Sequence, residues 1–140
     1  MPVKLEILRQ LNDDDRRDIG KILAETTQPS DPFSDLDQLQ SSLSEQQWLF
    51  AGRFNDRIVG IIIASKSVAT AAQTNLNFAG VRQLTQRRGV MHQLIIHVKR
   101  WADHEHQRLT IEHISPDFTL ALIQRGFTKE KNQWVYQPAS

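Results

Sequence analysis

The stretch of this sequence best equipped for chemistry is Gln86-Arg87-Arg88-Gly89, which stands directly ahead of an amphipathic run. Two adjacent guanidinium groups supply fixed positive charge, and a glycine lets an anion approach the backbone closely. Val90, Leu94, Val98 and Trp101 then recur at offsets of four, four and three, so they share one face of a helix. The first turn of such a helix offers N–H groups without partners and a partial positive charge. Upstream, Asn77 to Val81 reads as a strand that runs into a polar, basic turn, Arg82 to Arg88. Strand, basic turn, glycine and helix together make a place for a phosphate-like anion. The same order also serves a plain β–turn–helix crossover with solvated arginines, and local pattern does not choose between the two.

Other reactive side chains are scattered. Glu112 with His113 follows a short strand and is the candidate general base, although a strand-end pair facing solvent or capping the next helix has the same pattern. Tyr136, the only tyrosine, falls in the last strand and reads as a half-buried packing residue. His92 and His97 on the long helix, and His104 and His106 near its end, lack the facing pair plus carboxylate of a metal site, so no metal is expected. His92 is the histidine beside the anion turn. Arg53 and Asn55 flank a hairpin tip. Arg offers forked donors and Asn both donor and acceptor, which suits a partner's carboxylate or backbone, but turn chemistry alone selects the same residues.

The elements that must position these groups follow from pattern. Val3 to Leu8 alternates as a half-buried strand with Val3, Leu5 and Ile7 on one side. Asn12 and Asp15 form a cap for a helix that carries Ile19, Ile22 and Leu23 inward and fades near Thr26. After the break at 28–32, Leu36, Leu39 and Leu43 mark a second helix. Trp48 to Phe54, a tight turn at Asn55-Asp56, and Arg57 to Ser65 make an antiparallel hairpin. The continuous apolar run in its second strand predicts cover on both faces. Residues 66–73 are a loop, and Thr74 to Val81 leads into the anion turn. Leu109 to Glu112 is a strand, and Pro116 opens a helix carrying Phe118, Leu122 and Ile123 that stops at Gly126. Phe127 to Glu130 and Gln133 to Tyr136 close as a hairpin. The order β-α-α-β-β-β-α-β-α-β-β predicts an α/β fold with a mixed sheet and helices on both faces, in one domain over residues 1–140.

Composition narrows the class. The formal charge of +1 gives no global field for nucleic acid or membrane, and no aromatic stacking platform accompanies the basic residues. Cysteine is absent, which removes disulfides, zinc thiolates and thiol nucleophiles and suits a reducing compartment. Residues 1–6 carry no secretory signal, and the run 58–65 is too short to span a bilayer. A cytoplasmic protein is expected.

This order of elements, with Gln86-Arg87-Arg88-Gly89-Val90-Met91 and the later Arg125-Gly126-Phe127, resembles the GNAT N-acetyltransferase superfamily and its acyl-CoA diphosphate loop. Four stretches, 11–16, 51–57, 81–90 and 124–134, more narrowly resemble the PanZ/PanM family of acetyl-CoA-dependent maturation factors of aspartate 1-decarboxylase. The resemblance implies acetyl-CoA or CoA as cofactor and the decarboxylase precursor as partner. It also implies a role in promoting self-cleavage to the pyruvoyl form, by which CoA level regulates pantothenate biosynthesis. By position, it assigns the strand end Ala79, Gly80 and Val81 to the pantetheine amides. The loop Thr85, Gln86, Arg87, Arg88, Gly89, Val90, Met91 and His92 is assigned to the phosphates, with main-chain N–H groups from Arg88 to Met91 on the diphosphate. Arg53 and Asn55 are assigned to the partner.

Two departures matter. Met91 stands where the superfamily prefers Gly or Ala, and it crowds the diphosphate if its side chain points there. Leu122 occupies the position at which many GNAT enzymes carry a tyrosine acid. Weak or absent transferase activity is therefore expected. The alternatives are an active N-acetyltransferase for a small or protein amine, working through Glu112 or another carboxylate, and a GNAT-shaped interaction domain without cofactor.

Overall fold

A computed structural model of the chain describes residues 2–112 and 116–139, apart from the side chains of residues 86–88, 116 and 117. The elements run β1 (Lys4–Leu8), α1 (Asp13–Thr26), α2 (Leu36–Ser42), β2 (Gln47–Phe54), β3 (Arg57–Lys66), β4 (Gln73–Val81), α3 (Val90–Glu105), β5 (Arg108–Ile111), α4 (Pro116–Gln124), β6 (Thr128–Glu130) and β7 (Gln133–Tyr136). A 3-10 turn, Gln83–Arg88, links β4 to α3. The order is the one the pattern predicts.

Local chemistry accounts for the boundaries. Asn12 and Asp15 form a reciprocal capping box at the start of α1, whose first turn also carries Asp13 and Asp14. Asn55 and Asp56 both have positive φ, 50° and 64°, the conformation a two-residue hairpin turn demands.

The sheet order is β1-β2-β3-β4-β5-β7-β6. All neighbours are antiparallel except β4 and β5, which run parallel and pair only at Gln73–Asn75 with Arg108–Thr110. Beyond that pairing the strands diverge, so Leu76–Val81 has no partner on its β5 side among the described residues. A bulge sits at the same place, because Ile63 opposes Phe78 and Ala64 opposes Leu76, leaving Asn77 unmatched.

Two cores flank the sheet. One gathers Val90, Met91, Leu94, Ile95 and Val98 of α3 with Phe118, Ala121 and Leu122 of α4. The other gathers Ile19, Ile22 and Leu23 of α1 and Leu39 of α2 against Leu49, Ile61 and Ile63. Strand β3 is buried from Ile58 to Ala64, as a central strand covered on both faces must be.

Two inward assignments are corrected. Ile7 is 36% exposed whereas Leu8 is buried, because α3 packs over Val3 and Leu5 without reaching Ile7, while Leu8 joins the α1 core on the other face. Ile123 is 54% exposed, since α4 buries one narrow stripe, Phe118, Ala121 and Leu122.

Candidate functional site

The gap between β4 and β5, with the turn above it, brings Ala79 of the strand end and Met91 of α3 to one cleft. A parallel pair bridged by a helix and then allowed to diverge leaves a crevice at the strands' carboxyl ends. Here the crevice is a narrow cleft lined by Ile62, Leu76, Phe78, Ala79, Met91, Ile95, Ile111 and Leu122. No titratable side chain is among them.

The turn above the cleft is set by Gly89, in the left-handed region at φ 73°. A Cβ built there meets nothing within 4 Å, so among the described residues the space before this glycine is open. Gly89 also precedes α3 without any side-chain cap. The first backbone bond of α3 runs from the Gln93 N–H to the Gly89 carbonyl, at 3.1 Å. The amides of Val90, Met91 and His92 lie ahead of that bond. An open glycine followed by uncapped amides is a fitting cradle for an anion.

Met91 does not crowd this cradle. Its side chain is 4% exposed and turns inward to the cleft and the α3 core. Thr85 is fully buried, and both its N–H and its hydroxyl donate to the Arg82 carbonyl, at 2.9 and 2.8 Å. Its side chain shapes the turn. The 86–88 side chains lie outside the described residues. His92 is partly buried, and its Nδ1 has no partner among the described atoms.

At the strand end, Gly80 is glycine for a structural reason. A Cβ there would lie 3.1 Å from Thr26 Oγ1 and 3.3 Å from Ile22 Cγ2, so α1 presses directly on β4. Ala79, Gly80 and Val81 pair with Ile62, Ile61 and Gly60 on one side, and their other edge, beside the cleft, has no strand partner among the described residues.

On the opposite face of β4 a polar depression is lined by Phe33, Asn75, Leu76, Asn77, Thr110 and Glu112. Thr110 donates to Asn75 Oδ1 at 2.7 Å, and Asn77 donates to Ser65 at 2.9 Å. Glu112 is exposed there; His113 lies outside the described residues. Sequence alone does not reveal this depression, because its residues read as ordinary polar strand positions.

Tyr136 is remote from this chemistry. Its hydroxyl donates to Asp103 at 2.8 Å, and its ring packs on Phe127 and under the Lys99 ammonium. Burial, then the bond to Asp103, pushes its pKa up to about 12. Leu122, the residue at the tyrosine-acid position, is fully buried in the cleft wall.

The hairpin residues are bound up in the fold. Arg53 Nε pairs with Glu6 at 2.5 Å, Nη2 with Asp15 at 2.8 Å, and Nη1 donates to the Asp56 carbonyl at 3.3 Å. The guanidinium therefore ties β2 to β1 and α1, with its donors directed into the protein. Asn55 stands at the turn beside it, on a depression with Pro2, Lys4 and Leu5. Arg57 grips Asp18, which is 3% exposed and also accepts from the Ile58 amide at 3.1 Å.

Comparison with known proteins puts these features in context. The sequence model described as "Acetyltransferase (GNAT) domain, PanZ" matches residues 2–134. No curated protein matches the sequence significantly. Among solved structures, YhhK from E. coli, determined bound to coenzyme A, superposes with a TM-score of 0.68 at 21% identity, covering 98% of this chain and 99% of that one. A GNAT-family protein from Desulfovibrio desulfuricans gives 0.73 at 16%, covering 97% and 100%. PaiA N-acetyltransferase from Thermoplasma acidophilum, in complex with coenzyme A, gives 0.67 at 9%, covering 98% and 99%. At such identities the likeness is one of fold.

Proposed function

This chain belongs to the PanZ family of acetyltransferase (GNAT) domains, and from that premise we propose that it is a regulatory protein that binds acetyl-CoA or CoA. In its liganded form it engages the aspartate 1-decarboxylase precursor in the cytoplasm. It promotes the precursor's self-cleavage to the pyruvoyl form and ties pantothenate synthesis to CoA level. The amides around Gly89 hold the diphosphate, with Arg87 and Arg88 near the remaining phosphates. The edge of Ala79–Val81 that faces the cleft pairs with the pantetheine amides as an added strand would. The cofactor supplies a thioester, which the cleft receives among apolar side chains.

One observation carries the preference for regulation over transfer: the cleft wall is apolar throughout, with Leu122 at the tyrosine-acid position. Acetyl transfer needs a base for the amine and an acid for the thiolate, and the described residues lining the cleft supply neither. Calorimetric titration with acetyl-CoA and CoA, with and without precursor, tests the reading. Saturable binding and ligand-dependent complex formation are expected. Precursor cleavage that proceeds equally without this protein removes the reading.

A second reading, an active N-acetyltransferase, draws on the exposed Glu112 carboxylate in the polar depression, the sort of group that would receive an amine. Steady CoA release with a panel of amines would favour it, and binding without turnover would exclude it.

A further inference from the structure

The 3-10 turn that delivers Gly89 has no cap from its own neighbourhood. Arg82 precedes it without a side-chain cap bond. In that place stands Glu25, from the last turn of α1. Its Oε1 accepts from Arg82 Nε at 2.7 Å and from the Gln83 amide at 3.3 Å. Arg82 is the knot of the turn. Its own N–H donates to the Val59 carbonyl at 2.9 Å, and its carbonyl takes both donors of Thr85. The course of the chain from β4 to Gly89 thus depends on where Arg82 sits, and Glu25 holds Arg82 by its side chain. Glu25 is delivered by a close contact, because α1 meets β4 at Gly80, where a Cβ would lie 3.1 Å from Thr26 Oγ1.

We propose that Glu25 is a positioning residue for the anion turn. It acts through Arg82 and the Gln83 amide to hold Gly89 and the first amides of α3 in register for a diphosphate. The inference rests on the coenzyme-binding reading above and adds a residue 57 positions distant in sequence from Arg82. Electrostatics gives a contrary expectation that makes the proposal testable. A carboxylate near an anion site repels the anion, so removing it should tighten binding if charge alone matters. Removing a positioning group should weaken binding instead.

The test compares wild type, Glu25→Ala and Glu25→Gln. Glutamine keeps an oxygen acceptor for Gln83 and Arg82, whereas alanine keeps nothing. Binding of acetyl-CoA is measured by calorimetry, and binding of acetyl-pantetheine, which lacks the diphosphate, by NMR titration. Glu25→Ala should weaken acetyl-CoA binding about tenfold, the worth of one charge-assisted hydrogen bond. Glu25→Gln should recover most of that loss, and acetyl-pantetheine binding should be unchanged in both variants. In the ligand-free protein, amide exchange in the Glu25→Ala variant should quicken over residues 83–92 and stay unchanged in β5 and β7. Acetyl-CoA binding as tight as wild type or tighter in the alanine variant overturns the proposal. So does an equal loss for both ligands, which marks general damage. Failure of the wild type to bind acetyl-CoA overturns the underlying reading, and the role given to Glu25 goes with it.

Discussion

The β2–β3 hairpin and the β4–α3 turn are built from similar material and end in opposite states. Both are polar, arginine-bearing links between long elements, and both contain positive-φ residues. In the hairpin the donors are consumed: Arg53 by Glu6, Asp15 and the Asp56 carbonyl, and Arg57 by Asp18. In the β4–α3 turn, Arg82 is taken up by Glu25, but Gly89 faces open space and α3 starts uncapped. A polar turn whose hydrogen bonds close within the fold contributes stability. One that ends on an open glycine and an uncapped helix start is a place for a ligand, and the composition of the two turns does not tell them apart.

The largest effect should come from closing the open turn. Gly89→Val forces a branched residue into the left-handed region and fills the space before the amides, so acetyl-CoA affinity should fall about 100-fold or more. Gly126→Ala is the matching control. Gly126 also has positive φ, 91°, but it lies beside the Lys99 ammonium. That variant should lose about 1 kcal/mol of stability and keep its affinity. Equal loss of affinity in both would erase the distinction between the two turns.

Next in size is the saturated hairpin. Arg53→Ala leaves the Asp15 carboxylate buried with only its cap bonds, and urea unfolding should show a loss of about 2–3 kcal/mol. Acetyl-CoA affinity should stay within about twofold, as expected for distant sites. A marked fall in affinity would mean that the two turns are coupled. Asn55→Gly is milder and more selective, because glycine keeps the positive φ that the turn requires. Stability should hold within about 0.5 kcal/mol. If Asn55 contacts the precursor, that complex should weaken about fivefold. A complex of undiminished strength would leave Asn55 as a turn residue only.

Sequence made the local features visible and left the long-range ones hidden. The capping box of Asn12 and Asp15, the two-residue turn at Asn55-Asp56 and the buried stripe of α3 are local, and each could be read from spacing. The cleft could not, because nothing within β4 states that pairing with β5 stops after Asn75, or that Asn77 bulges. The direction of Met91 depends on the packing of α3 over the sheet. The fate of Arg53 is fixed by Asp15, 38 positions away, and that of Arg82 by Glu25. Ile7 shares a side with Val3 and Leu5 yet is exposed, because alternation gives the two faces of an edge strand but not how far a helix covers each.

The smallest effects separate stability from binding by pH. Asp18 is pulled two ways: burial alone would raise its pKa, but the bonds from Arg57 and the Ile58 amide, helped by nearby positive charge, hold it below the ordinary 3.8. A folded-state pKa below the unfolded one means that this stabilisation is complete above the unfolded value. It is lost as pH falls through the folded one. Tyr136 behaves oppositely. Its pKa, raised from 10.0 to about 12, favours the neutral phenol, so its share of stability is full below pH 10 and is lost as pH climbs towards 12. Asp18→Asn should therefore flatten the acid limb of the stability profile, and Tyr136→Phe the alkaline limb at a cost of about 1 kcal/mol. Neither should alter acetyl-CoA affinity at neutral pH, since neither residue borders the cleft or the anion turn. If Tyr136→Phe instead abolished a measurable release of CoA, the phenol would have to reach the thioester. The contrast between a saturated frame and an open turn would then fail at its C-terminal strand.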